Sequence, residues 1–119
     1  MTSRTERILI IDADEQARAD LSRYLEARGF YVTGAAGVNA ARGLFDDNIP
    51  DVIFADLPPE AIRDLSRRLD ETESFTPIVA CTSSQSSADV VQAMRAGAAD
   101  VVPKPVSDTH LTLRTSEPV

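Results

Sequence analysis

The 119-residue chain has the length of one domain, and 43% hydrophobic residues suffice for an ordinary core. A formal net charge of −7 excludes a nucleic-acid surface on this segment, because neutralising phosphates needs clustered Lys and Arg. Cys81 is the single cysteine and cannot make an internal disulfide, MTSRTER lacks the apolar region of a secretory signal, and no apolar run approaches a membrane span; a cytoplasmic chain without membrane contact is expected.

Residues 8–11 form an apolar run that reads as a buried strand and drives into the acids Asp12, Asp14 and Glu15. Acids so placed repel one another unless something cationic sits among them, although Asp12 or Asp14 can also simply cap the helix that follows. That helix is predicted over 14–27, with Ala17, Leu21, Tyr24 and Leu25 at helical spacing and Gly29 closing it. Residues 30–33 look extended, and 39–47 place Ala40, Ala41, Leu44 and Phe45 on one helical side before Pro50.

A second buried strand at 51–55 finishes at Asp56, and after Pro58 and Pro59 a third helix runs from 60 to about 70 with Ile62, Leu65 and Leu69 on one face. Pro77 opens a short apolar run at 78–81 that ends at Thr82. Ser86 with Asp89 three residues on resembles a helix start, predicting a helix that stops near Gly97. The last strand is 100–103, followed at once by Lys104 and Pro105. Five strand signals separated by helices imply a parallel sheet covered on both faces, with no internal repeat or domain linker.

In an open sheet of this kind ligands bind beyond the carboxyl ends of the strands, where strand order reverses. Asp12 to Glu15, Asp56, Thr82 and Lys104 fall just past those ends. Singly each has an ordinary reading: Asp56 a turn residue, Thr82 a strand residue, Lys104 a solvated charge. Together they make a phosphate and metal site.

The segments "ILIIDADE", "PDVIFADLP", "PIVACTSS" and "AMRAGAADVVPKPV" resemble the receiver domains of two-component response regulators. The resemblance implies a flavodoxin-like, doubly wound α/β fold with five parallel strands in the order 2-1-3-4-5. Residues 1–106 would form the receiver domain, and 107–119 a short or incomplete fifth helix, a linker or an appended tail. By the same resemblance Asp56 is the phosphoacceptor, Asp12 a metal-site acid, Thr82 the switch hydroxyl and Lys104 the conserved lysine, its bond to Pro105 cis. The implied cofactor is Mg2+, held by Asp12, Asp56 and the Pro58 carbonyl. The implied partners are a histidine kinase or phosphotransfer protein upstream and an output domain or protein downstream. Such a domain is no enzyme beyond assisting its own phosphotransfer and dephosphorylation.

The chain departs from the family pattern at four places. Ala13 stands where a second acid is usual, so weak Mg2+ binding is expected, with Asp14 a substitute only if the backbone bulges. The loop "DLPPEAIRD" is about two residues short, and Val101 replaces the switch aromatic with a side chain stiff at χ1. The tail "SDTHLTLRTSEPV" carries Leu111 and Leu113 two apart, poor spacing for a fifth helix, and His110 reads as an exposed tail residue. Retained Asp56, Thr82 and Lys104 favour a phosphoaccepting receiver. Ala13 and Val101 favour a degenerate receiver that binds a partner without phosphorylation. A flavin or nucleotide carrier on the same fold fits poorly, because the first strand ends in acids and not in a phosphate cradle.

Overall fold

The protein was analysed as a computed structural model in which residues 6–43, 49–84 and 86–105 are described. The elements follow as β1 (Arg7–Ile11), α1 (Glu15–Ala27), β2 (Tyr31–Ala35), α2 (Val38–Arg42), β3 (Val52–Ala55), α3 (Pro59–Glu71), β4 (Ile78–Thr82), α4 (Ser87–Ala96) and β5 (Asp100–Pro103). The five strands form one parallel sheet in the order β2-β1-β3-β4-β5, the doubly wound order expected from the sequence. Where the sequence suggested a helix over 39–47, α2 occupies Val38–Arg42, and 44–48 lie outside the described residues. The expected fifth helix or tail at 107–119 also lies outside them.

Alternation along each strand feeds two cores. In β1, Leu9 and Ile11 face one side with Ile53, Ile62, Leu65 and Leu69, while Ile8 and Ile10 face the other with Leu25, Phe54 and Val102. Period-two strands covered on both faces bury nearly every residue, and for that reason 8–11 and 51–55 read as continuous apolar runs. Helix α3 contributes Ile62, Leu65 and Leu69, the predicted apolar stripe, all buried to 3% exposure or less. β2 runs two residues beyond the predicted 30–33, because Gly34 and Ala35 pair in register with Ile10 and Ile11. Small side chains at those two positions hid the extension from the hydrophobic pattern.

The helix termini follow the predicted chemistry. The Asp14 side chain accepts from the backbone N–H of Gln16 and Ala17 at 3.0 and 3.2 Å and starts α1. Gly29 follows the end of α1 at φ +97°, a left-handed conformation that costs a glycine little. Ser86 caps α4 by accepting from the Asp89 N–H at 3.1 Å. Among the described residues no helix is long and apolar enough to cross a membrane.

Candidate functional site

The carboxyl edge of the sheet is built by backbone hydrogen bonds that run one residue past the strands. Asp12 donates its N–H to the Ala35 carbonyl at the end of β2 (3.0 Å), Asp56 to the Ile11 carbonyl at the end of β1 (2.8 Å), and Lys104 to the Thr82 carbonyl at the end of β4 (2.9 Å). Asp12, Asp56 and Lys104 are thus each the first residue beyond their strand and still anchored to the neighbouring one, whereas Thr82 is the last residue of β4. The side chains converge accordingly.

Lys104 Nζ donates to Asp12 Oδ2 at 2.8 Å and to Asp56 Oδ2 at 2.6 Å, and one ammonium thereby bridges residues 92 and 48 positions away in sequence. The Lys104 and Asp12 side chains are 20% and 9% exposed, whereas Asp56 is 40% exposed and opens to solvent. Burial works against the lysine's charge, but hydrogen bonds to Asp12 and Asp56, together with their negative charges, outweigh it and hold the ammonium above the ordinary lysine range. Two carboxylates against one ammonium leave the site with one net negative charge. The Lys104–Pro105 peptide is cis, as the resemblance implied.

An open cleft of about 570 Å³ borders Asp12, Asp14, Asp56, Ser83 and Lys104, and a smaller one of about 280 Å³ lies between Asp56, Pro58, Thr82 and Asp89. Asp56 is common to both. Thr82 Oγ1 accepts from the Ser84 N–H at 3.0 Å, which leaves the hydroxyl's own hydrogen to be donated. Ser84 Oγ in turn donates to Asp89 Oδ2 at 2.5 Å, linking the Thr82 loop to the first turn of α4. Cys81, buried beneath the site, has its thiol pushed up to about 12, first by burial and next by the charge of Asp56.

Two of the expected metal ligands have other work. The Asp14 carboxylate borders the larger cleft, and its Oδ1 caps α1. The Pro58 carbonyl accepts the N–H groups of Ala61 and Ile62, both at 3.0 Å, in the first turn of α3. The physical reason is the short loop: Pro59 is preorganised for the first helical position, so the helix starts immediately and takes the preceding carbonyl as its first acceptor. Among the described residues no three acidic, Cys or His side chains gather to hold a metal. Asp12 and Asp56 remain as a pair of hard oxygen donors converging on one cation, a set that fits Mg2+, which commonly takes one or two carboxylates with water completing the shell.

Sequence reasoning missed Arg18. Its Nη1 donates to the Asp12 carbonyl at 2.6 Å, and its stem lies over Gly34 of β2. The available signal was a glycine inside a strand, which often marks a close approach.

The fold is a doubly wound parallel sheet whose carboxyl edge, at the point where strand order reverses, gathers two carboxylates and a lysine. The chain belongs to the response regulator receiver domain family, which it matches over residues 8–116. It is 34% identical over 110 residues to the transcriptional regulatory protein CpxR of Escherichia coli K12, an alignment covering 91% of this chain and 47% of that protein. The chain spans about half the length, or less, of the curated relatives it matches. In structure it is similar to a two-component response regulator from Clostridium difficile, with a TM-score of 0.80, 26% identity and 92% of each chain covered. It also shares its fold with the receiver domain of Saccharomyces cerevisiae Ssk1 in co-crystal with the histidine phosphotransfer protein Ypd1, with a TM-score of 0.81 at 21% identity, covering 96% of this chain and 88% of that one.

Proposed function

We propose that the chain accepts a phosphoryl group on Asp56 from a histidine kinase or phosphotransfer protein and relays the signal to an output partner or domain. The observation that carries this reading is the Lys104 ammonium held between Asp12 and Asp56 beside an open cleft. One carboxylate oxygen of Asp56 attacks the phosphorus of a phosphohistidine, an O–P bond forms, the P–N bond breaks, and its electron pair returns to the donor imidazole. Lys104 then gives a hydrogen bond to a phosphoryl oxygen, and the Thr82 hydroxyl donates to another, drawing the Thr82–Ser84–Asp89 chain with it. Asp12 and Asp56 would hold a Mg2+ ion, which would supply charge neutralisation between the carboxylates and the phosphoryl oxygens. The only reactions assisted are this transfer and its own dephosphorylation, and the setting is cytoplasmic.

Incubation with a small acyl-phosphate donor and Mg2+, followed by intact mass measurement, tests the reading. A single added phosphoryl group, absent in Asp56→Asn, is expected. No addition to the wild type favours the second reading, a phosphorylation-independent interaction module, for which Ala13 in place of an acid is the supporting observation.

A further inference from the structure

We infer that Arg18 is a positioning residue for Asp12, setting the affinity of the acid pair for its cation; the inference rests on the phosphoacceptor reading above. Arg18 lies in the first turns of α1, and its guanidinium Nη1 reaches back to the Asp12 carbonyl at 2.6 Å. A hydrogen bond from a charged donor at this length is of the strong kind. The stem lies against Gly34: a Cβ there would sit 3.1 Å from Arg18 Cδ, 3.3 Å from Cγ and 3.5 Å from Nε, so a larger residue would push the stem off its present path by a few tenths of an ångström. Glycine weakens a strand, and the seat for Arg18 accounts for its presence in this one.

The consequence falls on Asp12. Its N–H is fixed to the Ala35 carbonyl, its carbonyl to Arg18, and its Oδ1 accepts from the Asp14 N–H at 2.9 Å, which leaves Oδ2 to face Lys104. The Asp12 backbone is thus tied to β2 and to α1 while its carboxylate is held by the Asp14 N–H, and Arg18 supplies the tie that fixes the carbonyl side of the residue. Orientation matters more here than in a site with an extra acid, because Ala13 contributes none and Mg2+ tolerates little departure from octahedral geometry.

Three variants separate positioning from bulk stability. Arg18→Met keeps the stem over Gly34 and removes the donor, Arg18→Lys keeps a cationic donor, and Gly34→Ala disturbs the seat without touching Asp12. Calorimetric titration with Mg2+ should show on the order of tenfold weaker binding for Arg18→Met, partial recovery in Arg18→Lys and an intermediate loss in Gly34→Ala, as for other residues that orient a ligand. Hydrogen exchange of the Asp14 amide, read by NMR in metal-free protein, should quicken in Arg18→Met while the amides of Ile8 to Ile10 keep their protection. Wild-type exchange at Asp14, or a uniform loss of protection across β1 matching the change at Asp14, overturns the inference. If the wild type binds no Mg2+, the metal reading fails on its own, and the Asp14 amide still decides the role of Arg18.

Discussion

Replacing Lys104 with methionine removes the charge that holds Asp12 and Asp56 together while keeping most of the stem. Breaking a fully buried pair costs about 3–5 kcal/mol, because one charge is left without a partner in a poor solvent. Here Asp12 is 9% exposed but Asp56 is 40% exposed, and water takes over much of the solvation of the second acid. A loss of about 1–2 kcal/mol is expected after that screening, or roughly 4–8 °C in Tm for a domain of this size. The chemistry should suffer more, since a lost donor to a charge-bearing oxygen typically costs about a hundredfold or more in rate. Urea melts give the first quantity, and intact mass followed against time with an acyl-phosphate donor gives the second. The lysine also has a pH signature: its folded pKa is raised, so the stability it contributes is complete below its unfolded value of 10.5 and is lost as pH climbs through the higher folded one. The methionine variant should lack that alkaline loss. A variant that fails to fold at neutral pH, or one phosphorylated at the wild-type rate, refutes the assignment of Lys104 to chemistry.

Ala13→Asp should tighten Mg2+ by on the order of tenfold, since a carboxylate replacing water near the ion is worth roughly 1–4 kcal/mol before desolvation; the metal-free variant should melt lower through repulsion with Asp12 and Asp56, and equal affinity in both proteins on Mg2+ titration contradicts this. Cys81 should resist iodoacetamide at pH 8 in the native state and react once unfolded, because burial keeps the thiol protonated to about 12. The same raised pKa makes stability fall as pH rises from 9 towards 12, where the unfolded thiol ionises and the folded one does not. On phosphorylation, amide shifts should concentrate between Thr82 and Asp89, along the Thr82–Ser84–Asp89 hydrogen bonds, with the stiff Val101 moving little. Larger changes at 101–105 count against that route.

Much of the site was legible because a parallel sheet turns chain position into spatial position. Every strand ends on the same edge, so finding where the apolar runs 8–11, 51–55, 78–81 and 100–103 stop was enough to bring Asp12, Asp56, Thr82 and Lys104 together, and Lys104 does bridge both acids. The caps at Asp14 and Ser86 were legible for a related reason: their partners lie within three residues. What escaped was the direction in which individual oxygens point. Asp14 satisfied two readings equally well, cap or ligand, until the backbone at its position turned its Oδ1 toward Gln16 and Ala17. The Pro58 carbonyl was expected as a metal ligand, and the immediate start of α3 that Pro59 imposes makes it an acceptor for the Ala61 and Ile62 N–H groups as well. Arg18 was hidden because it sits in α1 and its seat is Gly34, sixteen residues away in β2. Asp12 and Asp56 are the acids that Lys104 bridges, and the hydrogen bond from Arg18 to the Asp12 carbonyl anchors the more buried of the two, a long-range tie that no local pattern in the sequence announces.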